Sequence, residues 1–186
     1  LAAYNQLPWF DMLIDRLIEQ SLVYLGAQIN AGAQAVQIFD SWAGELCGLA
    51  RERYVMRPLK QITEELQRRY PSVPVIVFAR GLGADHGMIA RAGGVSAVGV
   101  EAEASLKSVA DVVPDSVAVQ GNLDPVALLA DDEALRREVD VVVKAVPMRR
   151  HIFNLGHGIR QETDLRKLST VIAAVRRFDT GRAADG

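Results

Sequence analysis

The segment Pro74-Val-Ile-Val-Phe-Ala-Arg-Gly81 decides the fold class. Val75–Ala79 is apolar at every position and rich in β-branched residues, with a proline before it and an Arg-Gly pair after it. A run this short between turn formers reads as a strand. Apolarity at every position, not every second one, marks a strand covered on both faces, as in a parallel sheet. Parallel neighbours cannot be joined by a tight turn, so helical crossovers must lie on either side.

Upstream, residues from about Leu49 to Tyr70 read as a helix with a polar face of Arg51, Arg53, Lys60, Glu64, Glu65 and Arg68. Before it come a strand, "AVQIF" (35–39), and a loop, "DSWAG" (40–44). Leu7 to Ala31 carries Phe10, Leu13, Ile14, Leu17, Ile18, Leu22 and Leu25 at helical spacing, closed by Gly32. Downstream, the loop "RGLGADHG" leads to a short helix near Met88–Ala92. The alternation then repeats: "AVGVE" as strand, a helix at about Glu103–Val113, "VAVQG" as strand and "NLDP" as loop. Asp124-Pro125 reads as a helix start with proline in its first turn. A helix follows at about Asp131–Ala145, with Asp131 as its cap. "HIFNLG" (151–156) is the last strand, Asp164–Phe178 the last helix, and 179–186 a flexible tail.

Strict alternation of strand and helix leaves two architectures, a doubly wound open sheet and a (β/α)8 barrel. The opening helix implies a strand before it, which favours the barrel, of which this chain supplies about the last five strand–helix units within a single domain, 1–186. "GLGADHG" lacks the spacing of a dinucleotide fingerprint. The composition is globular, 49% hydrophobic and 24% charged over 186 residues. A net charge of −2 gives no general pull toward nucleic acid or acidic membrane. A single cysteine, Cys47, excludes a disulfide framework and any zinc site built on several thiolates, and fits a reducing compartment. A metal site is poorly supplied. No apolar run reaches the roughly eighteen residues of a membrane span. The first residues lack the plan of a signal peptide, and a chain that opens on Leu1 reads as a piece of something longer.

In a parallel α/β fold the strand C-terminal ends share one rim, where chemistry gathers. The residues just past each strand are Asp40-Ser41-Trp42, Arg80-Gly81, Glu101, Gln120-Gly121-Asn122 and Asn154–His157. They supply a hydroxyl, a guanidinium fork, amides and an imidazole, a set suited to binding carboxylates. Ser41 lacks the strained elbow of a nucleophilic serine. The sequence leads one to expect Ser41, Arg80, Asn122 and His157 on one wall of a concave chamber. Blander readings stand beside these: Arg80 as an ion-pair partner of Glu101, Asn122 as a holder of loop backbone, Trp42 as packing, Cys47 as an inert half-buried thiol, and His86 as loop surface.

"QIFDSWAGEL", "PVIVFARG", "AVQGNLDPVALLA" and above all "HIFNLGHGI" resemble the uroporphyrinogen decarboxylase family in order and spacing, from about Leu13 to Arg177. The resemblance implies the C-terminal portion of a cofactor-free (β/α)8 enzyme. Such enzymes are cytoplasmic homodimers of the haem pathway. They convert uroporphyrinogen III to coproporphyrinogen III by removing carbon dioxide from four acetate side chains. It assigns Ser41 and His157 to substrate binding and Phe39 to the pocket wall; the strand-end positions, apart from the resemblance, add Arg80, Asn122 and Asn154 as further candidates. Gly156 and Gly158 are expected to let the backbone turn so that His157 reaches a substrate carboxylate. The family's N-terminal arginine motif, central aspartate and tyrosine have no counterpart in this chain, so no catalytic residue is assigned. The aromatic residue usual after the position of Glu101 is Ala102 here, and "RQETDLRKL" lacks the usual prolines. Two other readings remain: a barrel relative of the corrinoid-dependent methyltransferase type, which would need zinc ligands, and a non-catalytic remnant that assembles with a partner.

Overall fold

The computed structural model describes residues 1–182, with side chains described through Phe178. Five strands, β1 (Val36–Asp40), β2 (Val75–Ala79), β3 (Ala97–Gly99), β4 (Ala118–Leu123) and β5 (His151–Leu155), form one sheet in chain order. Helices α1 (Pro8–Asn30), α2 (Gly48–Arg51), α3 (Arg57–Arg69), α4 (His86–Ala90), α5 (Leu106–Val112), α6 (Asp132–Ala145) and α7 (Arg166–Arg182) alternate with the strands. The chain divides into two compact units, Leu1–Val98 and Gly99–Gly186.

In the first unit β1 and β2 pair in parallel, Val36 beside Val75 and Phe39 beside Phe78. Val36 and Val75 bury one face of this pair against Ile18 and Leu25 of α1 and Ile62 and Leu66 of α3, with Ile38 packed on the same cluster. Side chains alternate along a strand, so Gln37, Phe39, Ile76 and Phe78 occupy the other face. The Phe39 and Phe78 rings touch there, their centroids 5.8 Å apart. The expectation that both faces of every strand are covered is corrected at β1, where Phe39 is 68% exposed. The α1 stripe is likewise wider than what covers it. Ile18 and Leu25 are buried, while Leu13 and Leu17 face outward.

The single helix expected from Leu49 to Tyr70 is a helical run interrupted at Glu52–Met56, which is wound as a π-helix, with the Arg57 N–H bonded five residues back to Glu52. Pro58 explains the interruption. It has no N–H, and its ring excludes the carbonyl four residues earlier from an α-helical ladder. A wider turn just before it lets the run continue toward α3.

In the second unit β4 and β5 pair in parallel, with Asn122 beside Asn154 and Gly121 beside Phe153. The expected "NLDP" loop is shorter than that, because Asn122 and Leu123 complete β4. His151 and Phe153 face a hollow that they share with Val143 of α6 and Val175 of α7. Alternation therefore puts Gln120, Asn122, Ile152 and Asn154 on the opposite face. Here too one face is open, with Ile152 41% exposed. Asp131 caps α6 as expected, its Oδ1 accepting the Ala134 N–H at 2.8 Å. Asp124 accepts the Val126 N–H at 2.8 Å and starts a 3-10 turn, Pro125–Leu129, in place of an α-helix. The α7 backbone stays helical past Phe178 to Arg182, and the remainder of the expected tail lies outside the described residues.

Leu66 is fully buried between α1, β1 and β2. Truncating it to alanine removes that packing and leaves a cavity, so Leu66→Ala is expected to cost about 2–5 kcal/mol. A urea unfolding curve with an undiminished midpoint contradicts this account of the first unit's core.

Candidate active site

Each unit presents its strand ends as short loops held by backbone contacts. In the first, the Arg80 N–H donates to the Asp40 carbonyl at 3.0 Å, and the Arg80 carbonyl accepts the Gly44 N–H at 2.8 Å. The loops after β1 and β2 are so close that a Cβ on Gly44 would lie 2.9 Å from the Gly81 Cα. Gly81 itself has φ +80°, a conformation glycine adopts without penalty. The "AG" of "DSWAG" and the "RG" of "VFARG" are thus two halves of one contact.

This contact fixes where Ser41 and Arg80 leave the backbone. Ser41 is exposed, and among the described residues its hydroxyl has no hydrogen-bond partner. Arg80 is half-buried at the end of β2. Asp40 accepts the Trp42 N–H at 3.1 Å. Burial pushes the Asp40 carboxyl above the usual carboxylate range, and the Trp42 N–H only partly opposes it. Trp42 is 74% exposed, which corrects its reading as packing, and Cys47 is exposed and not half-buried. His86 is fully buried at the start of α4, not on a loop surface.

In the second unit the strand-end residues Asn122 and Asn154 are neighbours in register. Asn122 is buried, and its Nδ2 donates to the carbonyls of Glu101 (2.9 Å) and Ala104 (2.8 Å). The reading of Asn122 as a holder of backbone therefore describes what its amide does. Asn154 is exposed, and its Oδ1 accepts the Leu155 N–H at 2.8 Å. His157 is exposed, and among the described residues its ring has no hydrogen-bond partner.

The glycines flanking His157 act differently from expectation. Neither has a positive φ, so no left-handed turn is made there. Gly156 is required for proximity: a Cβ on it would lie 2.6 Å from the Ala102 Cα. Gly158 has open space around its Cα. His151, not singled out from sequence, places Nε2 2.7 Å from the Gly121 carbonyl, and burial lowers its pKa. Of the contact residues, Gly44 was not singled out, and Gly81, Ala102 and Gly156 were noted from sequence without their close approach being foreseen. The available signal was the small residue that follows most strand ends. Among the described residues no three or more His, Cys, Asp or Glu side chains form a group that could hold a metal ion. No described helix is long and apolar enough to cross a membrane.

The fold defines a portion of a (β/α) barrel. A solved methyltransferase from Methanosarcina mazei has the same fold, with a TM-score of 0.80 at 18% identity over 95% of this chain and 52% of its own. The family model described as uroporphyrinogen decarboxylase matches residues 3–178, and the chain belongs to that family. It is 44% identical over 174 residues to the uroporphyrinogen decarboxylase of Granulibacter bethesdensis, covering 94% of this chain and 51% of the relative. For the enzyme of the same name from Rhizorhabdus wittichii the identity is 42%, with the same coverage. The chain thus spans about half the length of the curated relatives it matches.

Because the Asp40 pKa is raised on folding, its ionisation works against the folded state. Below the ordinary carboxylate range Asp40 is protonated both folded and unfolded and has no effect. As pH rises through its elevated folded value, stability is lost. Asp40→Asn keeps an acceptor for Trp42 without the charge, so its melting temperature should gain on that of the unmodified chain as pH rises above the ordinary carboxylate range. A difference that is constant with pH contradicts the assignment.

Proposed function

We propose that this chain serves the decarboxylation of uroporphyrinogen III to coproporphyrinogen III, with Ser41 and His157 each engaging a substrate carboxylate. The observation that supports this most is the state of those two side chains. Both sit beside tight backbone contacts, both are exposed, and neither is committed to a partner among the described residues. The family to which the chain belongs supplies the substrate class.

Phe39, on the face of β1 away from α1 and α3, offers an apolar wall to a pyrrole ring. Arg80 presents a fork for a carboxylate at the end of β2. Asn154 lies on the face of β5 away from the α6–α7 hollow and adds an amide.

The chemistry requires no oxidant. A proton adds to the electron-rich pyrrole, and the acetate C–C bond then breaks, its electron pair returning to the ring as carbon dioxide leaves. A second proton then completes the methyl group, and the proton first added to the ring leaves to restore the pyrrole. What a protein contributes is carboxylate binding, a proton donor and a surround that favours the cationic ring. The residues named here supply the first of these. The resemblance assigns ring stabilisation to an aspartate, and substrate binding in part to an arginine motif, neither of which has a counterpart in these 186 residues. A homodimer acting in the cytoplasm completes the proposal.

A charge-assisted hydrogen bond contributes about 1.5–3 kcal/mol. His157→Ala is therefore expected to weaken uroporphyrin binding by about ten- to a hundredfold, measured by fluorescence titration, while leaving the melting temperature unchanged because the side chain is exposed. Undiminished affinity in the variant removes His157 from the site. The chain alone is expected to show little decarboxylase activity in a coproporphyrinogen assay, and robust turnover by residues 1–186 would overturn the division of labour just described.

A further inference from the structure

We propose that Asn122 is a positioning residue for His157, acting through the loop Glu101–Ser105 and the backbone of Gly156. The second unit connects these residues by a short series of contacts. The Asn122 side chain ends in an NH2 group with two donors. One is used on the Glu101 carbonyl and the other on the Ala104 carbonyl, at 2.9 and 2.8 Å. The same Glu101 carbonyl accepts the Ala104 N–H at 3.2 Å, and Ser105 caps α5 through the Ser108 N–H. The loop is thereby folded around one amide.

That loop is the surface against which Gly156 rests. A Cβ at residue 156 would lie 2.6 Å from the Ala102 Cα and 2.8 Å from the Ala102 Cβ. The Gly156 N–H meanwhile donates to the Leu123 carbonyl at 2.8 Å, in the residue directly after Asn122. Gly156 is therefore fixed from two sides, by the end of β4 and by the loop that Asn122 holds. His157 follows immediately, and its ring has no partner of its own among the described residues. The place from which the imidazole reaches out is thus set through the backbone at 156.

Few residues can do this. Aspartate has the same shape as asparagine but no donor, and its carboxylate would face two carbonyl oxygens. Serine retains a single donor. The burial of Asn122 keeps water from replacing the lost bonds.

The test is carried out on the chain itself. In Asn122→Asp, the amide resonances of Ala102–Ala104 and of Gly156 and His157 should shift together, and hydrogen exchange at Gly156 should accelerate on the order of tenfold. Amides of Val139 and Leu135 in α6 serve as the internal reference and should not move. If Asn122→Asp does not fold, Asn122→Ser should show the same pattern at smaller amplitude. Movement of the loop resonances with Gly156 and His157 unchanged overturns the proposal, as does uniform acceleration across α6.

A second arm rests on the tetrapyrrole reading given above. Asn122→Ser should weaken uroporphyrin binding roughly tenfold, and should have no further effect when combined with His157→Ala. Additive losses overturn the coupling. If His157→Ala alone leaves binding unchanged, the functional reading fails, and the resonance and exchange measurements still decide whether Asn122 positions residue 157.

Discussion

The structure depends on backbone meeting backbone at the strand ends. Gly44 against Gly81 in the first unit and Gly156 against Ala102 in the second leave no room for a side chain between successive loops. A strand end by itself offers a polar side chain on flexible chain. Once two loops are pressed together and joined by hydrogen bonds, such as Gly44 to Arg80 and Gly156 to Leu123, the backbone from which the neighbouring side chains leave is held. Backbone held in this way lowers the conformational entropy lost when a ligand binds.

The same arrangement divides labour among the polar residues. Some are spent on structure: both donors of Asn122 and the Oδ1 of Asn154 serve neighbouring backbone. Others, Ser41 and His157, are left unpartnered among the described residues. On the function proposed above, a carboxylate-rich tetrapyrrole needs groups of the second kind, and those groups need residues of the first kind behind them. Phe39, in tilted contact with Phe78 yet largely exposed, combines the two roles on the apolar side.

Much of this was legible in the sequence. The apolar run Val75–Ala79 is a strand with those bounds, and α1 and α6 end within a residue or so of expectation, because periodicity and capping act locally. The strand-end positions of Ser41, Arg80 and Asn154 follow from the same local signals. Other features were not legible, the first because a local cause is masked by helical spacing and the rest for nonlocal reasons. The π-wound stretch at Glu52–Met56 comes from Pro58 within a run whose apolar spacing is otherwise helical. His86 looks like a loop residue beside glycines, yet it is fully buried. Gly156 invites a turn, but its use is a contact with a residue more than fifty positions earlier.

By itself the sequence determined the strand–helix alternation, the parallel class and the family, since these rest on the spacing of apolar residues and on motifs such as "FDSWAG" and "NLGHG" that are contiguous in the chain. Only the tertiary structure decided which polar residues hold backbone and which are left without a partner among the described residues. Asn122 and His157 have similar sequence surroundings, each beside a glycine at the end of a strand. What separates them is burial and the presence of two carbonyls within reach of one amide, and both depend on loops brought together in space.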